Sequence, residues 1–407
     1  MKIIGIACHT RDSAVCLLDG ESSFAARERC WQQSECERFP LQAFNCCLQS
    51  AGLTAQDIDY AVFHEKPFLH FASLLTAHIA AWPANAGLFL KGMPLWLEQR
   101  LTLGDFLRAE TGFGGQVLFA RHHAAHAAAA FYPSDFERAA VLVMDSGSES
   151  DAVSLCGGEG NTLSFYKTAS PPHSPAVLCG CAALFLGFGT RGEDLLEGAA
   201  SCGNPVFEKQ LLELVARVSQ DGTLELNREY FNCGPGKVEF SHKIREIFGP
   251  SPAAGEQLGQ RHFDIAASVQ SVAEQAALAA ARALAGIFPC GNLCLGGGLF
   301  SNAAINSRLR EDSGFHKVFV PDLPGNAGTA PGAALYARHC LMDQPRDGVA
   351  RALRASGAYS QAQLRRALIS AGLPYQELSE SEMADWLAER LSSGRIVAWF
   401  HGGSDFS

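Results

Sequence analysis

Two stretches decide the fold: KIIGIACHTRDSAVCLLDG over residues 2–20 and AAVLVMDSGSESDAVSLCGG over residues 139–158. Each opens with an apolar run, passes through a polar turn and returns as a second apolar run. The first turn is His9-Thr10-Arg11-Asp12-Ser13, and the second runs through Ser148-Glu149-Ser150-Asp151. Asp19-Gly20 and Gly157-Gly158 follow, as hairpin signals require. One strand–turn–strand unit used twice predicts a duplicated α/β core, against the alternative of two unrelated hairpins. In such a core the turns aim backbone N–H groups at phosphates in the cleft between the halves.

Outward from these units the pattern turns helical. Phe263 to Ile287 is alanine-rich and amphipathic, and leads into an apolar strand, Asn292 to Leu295. Gly296-Gly297-Gly298 follows, and a helix begins at Asn302-Ala303-Ala304. Strand, glycine turn and helix together bring backbone close to a nucleotide, although a plain strand-to-helix turn has the same pattern. A further strand, Lys317 to Val320, precedes the turn Pro324-Gly325-Asn326-Ala327-Gly328 and a small-residue helix, Pro331 to Ala337.

Domain boundaries follow from composition. Residues 1–341 form one α/β domain with halves of about 1–135 and 136–341, and residues 342–359 read as a linker. Residues 360–407 hold two helical patterns, the second opened by the capping box Ser379-Glu380-Ser381-Glu382. A strand is expected over Arg395 to Phe400. Two helices and one strand do not enclose a core, so this last unit reads as the incomplete start of a domain.

The 407 residues carry a net charge of −10, spread along the chain, which disfavours binding to a phosphate backbone. No stretch reaches the roughly 18 uninterrupted apolar residues of a membrane span. The most apolar segment, Phe71 to Leu97, is broken by His78, Pro83, Asn85, Lys91 and Pro94, and reads as buried helix plus turn or as an apolar surface flap. The amino terminus lacks the pattern of a signal peptide. The 14 cysteines contain no C-x-x-C and no zinc-ribbon spacing, so reduced thiols in a cytoplasmic protein are expected.

The sharpest local signal is RHHAAHAAAA, Arg121 to Ala130. Its alanines predict a helix, on which His122 and His126 share a face and suit one divalent metal. His123 lies on roughly the same side as His126, so spacing alone leaves the pair open, and a third ligand must come from elsewhere. Asp12 and Asp145, at the ends of the first strand of each unit, are placed to position a cation or a hydroxyl, or simply to form turns. Glu149 has the same standing.

Taken in order, these elements resemble the nodulation and antibiotic-tailoring carbamoyltransferase family, whose acceptor domain shares its fold with enzymes that transfer a threonylcarbamoyl group to tRNA. AVFHEKPFLHF (61–71), HHAAHAAAAFYPSDF (122–136), HFDIAASVQ (262–270), GGLFSN (297–302) and GNAGTAPGAAL (325–335) carry the resemblance. It implies an actin/hexokinase-like duplicated core. It also implies ATP-dependent activation of carbamoyl phosphate to carbamoyl-adenylate in a C-terminal domain, followed by transfer to a hydroxyl of a sugar or natural-product acceptor. By resemblance His122, His126 and Asn326 form an Fe(II)-type metal site, Gly147, Gly297, Gly298 and Asn302 face the nucleotide, and Asp12 and Asp145 act in the cleft.

Departures from the family pattern are specific. Asn326 stands where the family has a metal-binding aspartate, and a neutral amide is the weaker ligand. Leu195 replaces a lysine, and Ser146 and Ser148 replace glycines. At the end, HGGSDFS (401–407) stands where phosphate-binding arginines are expected. The chain is therefore expected to need an activating domain from another chain or a full-length homologue. The alternative is a catalytically impaired paralogue that serves as a partner or scaffold for an intact carbamoyltransferase.

Overall fold

The computed structural model describes all residues except 11, 21, 29–38, 81, 84–85, 191, 235–236, 254, 347–353, 356–359 and 400–407. The two decisive stretches each fold as the sequence predicts. In the first, β1 (Lys2–Ala7), β2 (Ala14–Asp19) and β3 (Ser22–Arg27) form an antiparallel meander, and β4 (Tyr60–Phe63) and β5 (Gln116–Phe119) join parallel to β1. In the second, β6 (Arg138–Ser148), β7 (Asp151–Glu159) and β8 (Thr162–Ala169) form the meander. Two short ribbons follow, β9 (Ala216–Val218) with β10 (Leu224–Leu226) and β11 (Phe231–Gly234) with β12 (Lys237–Phe240). The second sheet is completed by β13 (Asn292–Gly296) and β14 (Lys317–Phe319), parallel to β6.

Read from the meander edge, the order is β3-β2-β1-β4-β5 in one sheet and β8-β7-β6-β13-β14 in the other. The two orders are the same, with the same strand directions, so the core is duplicated in the actin/hexokinase-like manner. In the first sheet, Arg354–Ala355 (β15) lies parallel beside β3. This short strand falls in the stretch read as linker.

Both faces of both sheets are covered, which explains the nearly continuous apolar runs. Because side chains alternate along a strand, Ile4 and Ile6 of β1 pack with Phe44 and Leu48 of the helix Leu41–Ala51, while Ile3 and Ala7 face the other way. In β6, Leu142 and Met144 pack with Val269 and Val272 of the helix Gln260–Ile287. Val141 and Val143 join Ala127, Ala130 and Phe131 on the opposite face.

Between the sheets lie two helices of small residues, His122–Phe131 and Thr329–Tyr336. Their alanines and Gly332 permit a close crossing: a Cβ on Gly332 would run into the Ala125 carbonyl. This crossing fixes the histidine-bearing helix against both halves.

Pro67–Ala80 and Ala86–Leu95 take the surface-flap reading, with Phe68, Trp82 and Leu90 largely exposed. The helices Gln361–Ser370 and Glu380–Ser392 form as expected, and none of their side chains is buried. The expected strand over Arg395 to Phe400 is corrected for the described residues 395–399, which are not in a sheet. Ile396 is fully exposed, and strand propensity needs a neighbouring strand to be realised. Phe400 and HGGSDFS lie outside the described residues. No described helix is long and apolar enough to cross a membrane, and none of the described cysteines forms a disulfide.

Candidate metal centre

The helix His122–Phe131 starts where β5 ends, and Arg121 is its extended N-cap residue. All three of its histidines are buried. The structure separates them by partner. His123 Nδ1 is 2.7 Å from the Ser154 hydroxyl on β7, whereas His122 and His126 turn their Nε2 atoms toward each other at 3.1 Å. Asp145, on β6 of the second half, completes the group. Its Oδ2 lies 3.2 Å from His122 Nε2 and 3.5 Å from His126 Nε2.

These three atoms fit a single divalent ion. A circle drawn through them has a radius of about 1.9 Å, just inside the 2.0–2.2 Å of common metal–nitrogen and metal–carboxylate bonds. Among the described residues this is the one buried His/Asp group with such geometry. Two histidines and one carboxylate on one side of an ion leave its other positions open, the donor set of non-heme Fe(II) centres.

The electrostatics agree with a site prepared for a cation. Burial works against a charge on Asp145, but His122 and His126 outweigh it and hold the carboxyl well below its usual range. Burial likewise opposes protonation of His122, yet the hydrogen bond and charge of Asp145, with Glu65 and Glu149 beyond, raise its pKa. His126 moves the other way, because burial exceeds the pull of Asp145. His126 Nδ1 is buried with no hydrogen-bond partner in the structure.

Sequence reasoning assigned no role to His64 and Glu65, which follow β4 in the AVFHEKPFLHF segment. His64 Nδ1 lies 3.1 Å from His122 Nδ1, and its Nε2 lies 3.1 Å from the Cys8 carbonyl. Burial, opposed by Glu65 and aided by His122, lowers the His64 pKa to about 3. Glu65 is bonded to His70 at 2.9 Å. The signal available was position: polar side chains at the carboxyl ends of parallel strands line sites in α/β sheets. Glu149, in the turn after β6, accepts from the Lys66 N–H. Burial raises its pKa, with the Lys66 and His122 N–H groups opposing.

A cavity of about 830 Å³ opens beside the triad and gathers Asp12, Asp145, Gly298, Asn302 and Asn326 along its wall. That volume lies within the range of small-molecule sites. Asp12 is held by Arg27 at 2.7 Å. Asn302 is less free than its expected role implies. Its Oδ1 accepts from the Ile305 N–H at 2.9 Å as a helix N-cap, and its amide donates to Gln270 at 2.8 Å. Asn326 Oδ1 is buried without a hydrogen-bond partner in the structure. Gly297 has φ of 103°, and a Cβ there would strike the Met144 carbonyl. Gly147, with φ of 106°, is similarly closed by Pro171. Neither Gly147 nor Gly297 is among the residues lining the cavity, whereas Gly298 is.

The strand order defines a duplicated actin/hexokinase-like α/β protein, and the buried triad gives it a candidate metal centre. The chain belongs to the family described as Carbamoyltransferase N-terminus, whose model matches residues 2–335. An uncharacterized protein of Synechocystis sp. is 33% identical over 423 residues, covering 99% of this chain and 69% of the relative. Nodulation protein NolNO of Sinorhizobium fredii is 25% identical over 399 residues, covering 97% of this chain and 56% of its own length. Nodulation protein NolO of Bradyrhizobium diazoefficiens is 26% identical over 291 residues, with 70% and 50% covered. The chain thus spans about half the length of the two nodulation proteins.

Solved structures with similar folds include component A of the Acidaminococcus fermentans (R)-2-hydroxyglutaryl-CoA dehydratase, at 12% identity and a TM-score of 0.40 over 83% of this chain and 97% of that one. A ROK family glucokinase from Streptomyces griseus gives 13% identity and a TM-score of 0.37, over 82% and 98%.

Proposed function

We propose that this chain is the acceptor-side part of an O-carbamoyltransferase, receiving carbamoyl-adenylate and passing its carbamoyl group to a hydroxyl of a sugar or natural-product acceptor. The observation that carries the reading is the His122–His126–Asp145 triad beside an 830 Å³ cavity, in a chain of this family. The acceptor oxygen bonds to the carbamoyl carbon and releases its proton, the bond from that carbon to the adenylate phosphate oxygen breaks, and AMP leaves with that bond's electron pair.

His122, His126 and Asp145 would hold a divalent cation, Fe(II) by donor set, with Asn326 as a weak neutral neighbour. Once bound, such a cation offsets negative charge on carbamoyl and phosphoryl oxygens. Asp12, fixed by Arg27, accepts a hydrogen bond from the acceptor hydroxyl and orients it. Backbone at Gly298 forms the nucleotide wall, and the tight glycine turns at Gly147 and Gly297 hold that wall in place. Residues 1–341 form the acceptor domain under this reading, 342–359 link it onward, and 360–407 begin the adenylate-forming unit. An activating domain then supplies the donor from carbamoyl phosphate and ATP in the cytoplasm.

The test is transfer of label from [14C]carbamoyl phosphate to a hydroxylated acceptor, with ATP and the activating half of a full-length relative. Label in the acceptor with matching AMP release supports the proposal; AMP release without acceptor labelling, over a panel of glycans and polyols, overturns it. Asn326 favours a second reading, a catalytically impaired scaffold, because it removes the carboxylate expected there. That reading requires co-purification with an intact homologue and no loss of the homologue's activity when His122 and His126 become Ala.

A further inference from the structure

We infer that His64 is a positioning residue whose hydrogen bond to His122 fixes which nitrogen of that imidazole is left open to a metal. This rests on the metal-centre reading above, but concerns hydrogen-bond polarity within the chain itself.

A carbonyl oxygen only accepts, so the 3.1 Å contact between the Cys8 carbonyl and His64 Nε2 requires the hydrogen to sit on Nε2. A neutral imidazole carries one N–H, so His64 Nδ1 presents a lone pair. That lone pair faces His122 Nδ1 at 3.1 Å, so His122 must donate from Nδ1. In the neutral imidazole the remaining nitrogen, His122 Nε2, is then bare, and it is the atom that faces His126 and Asp145.

The backbone holds the relay in register. Cys8 directly follows β1 and His64 directly follows β4, a parallel pair, and the His64 N–H extends the ladder by donating to the Ile6 carbonyl at 3.0 Å. His64 is 1% exposed and Cys8 also 1%, so both bonds are shielded from bulk solvent. Second-sphere partners of this kind commonly select the tautomer of a metal-binding histidine.

Removing the acceptor opens a specific competing arrangement. With no lone pair opposite Nδ1, His122 can carry its hydrogen on Nε2 and donate it to Asp145 Oδ2, 3.2 Å away. That bond satisfies the carboxylate and occupies the nitrogen needed for a metal. His64→Leu provokes this switch, whereas His64→Asn keeps an acceptor oxygen close to the place of Nδ1 and prevents it.

Long-range 1H–15N spectra of the metal-free full chain test the assignment directly. At a pH where His122 is neutral, the expected result is hydrogen on Nδ1 in the parent chain and in His64→Asn, and on Nε2 in His64→Leu. A Co(II) titration is expected to show binding weakened roughly 10- to 100-fold in His64→Leu, the scale of second-sphere losses, and largely restored in His64→Asn. Thermal unfolding of each variant confirms that the protein compared is folded. Hydrogen on Nε2 of neutral His122 in the parent chain overturns the inference without needing any variant. Equal Co(II) losses in both folded variants also overturn it, by reducing His64 to a packing role. If the parent binds no Co(II) yet shows the expected tautomers, the relay stands and the metal-centre reading falls.

Discussion

The Ser174 hydroxyl donates to the main-chain carbonyl of Asp145 at 2.7 Å, while its oxygen accepts from the Ala176 N–H at 3.2 Å. One fully buried side chain therefore caps the helix Pro175–Phe185 and ties down the strand that delivers the carboxylate of the triad. Ser174→Ala removes the cap and leaves a buried carbonyl short of a donor, each a loss of about 1 kcal/mol or more. Denaturant unfolding is expected to show a destabilisation of roughly 2 kcal/mol, with weaker Co(II) binding in the folded variant.

Asn326→Asp is expected to strengthen divalent metal binding by roughly tenfold or more, because a carboxylate is a better ligand than an amide. The same substitution lowers stability without metal. It adds charge to a cavity that already holds Asp12, Asp145, Glu193, Asp194 and Glu197. Paired metal titration and unfolding of the metal-free chain check the two directions separately.

Metal affinity is expected to rise with pH through the neutral range. The His122 pKa is raised in the fold, chiefly by Asp145 acting against burial, so its proton persists above the ordinary histidine value near 6.5. The stabilisation this proton gives the metal-free fold is complete below about 6.5 and is lost as pH climbs through the raised value. Metal requires the same nitrogen bare, so its affinity grows over that interval. Co(II) titrations between about pH 6 and 8.5 test this; an affinity independent of pH contradicts it.

Gly297→Ala is expected to destabilise the chain by more than about 1 kcal/mol, since φ of 103° disfavours a side chain and the new Cβ meets the Met144 carbonyl. Displacing Met144 also moves Asp145, so metal binding falls with stability. A variant as stable as the parent contradicts this account of the turn.

Much of the fold was legible because it is written in local pattern. Strands buried on both faces read as continuous apolar runs, and Asp19-Gly20 marked the hairpin. Long-range contacts were not legible. The spacing of His122, His123 and His126 is compatible with either pair, and only Ser154, on another strand, draws His123 away. Asp145 was found as a strand-end carboxylate, but its closeness to the histidines depends on packing of the alanine-rich helix between two sheets. His64 gave no periodic signal at all, since its role comes from the parallel pairing of β1 and β4. The apolar run before residue 400 misled for the converse reason: Ile396 and Trp399 are exposed, with no strand described beside them.

Under the proposed function, carbamoyl transfer depends on the buried triad. That dependence is tested most directly by labelled carbamoyl transfer from a complemented reaction, comparing the metal-loaded parent chain with His126→Ala. Acceptor labelling and AMP release in equal amounts are expected for the parent, with a loss of roughly 100-fold or more in the variant, whose ligand is gone. Equal labelling by the two chains, with both folded, would contradict it.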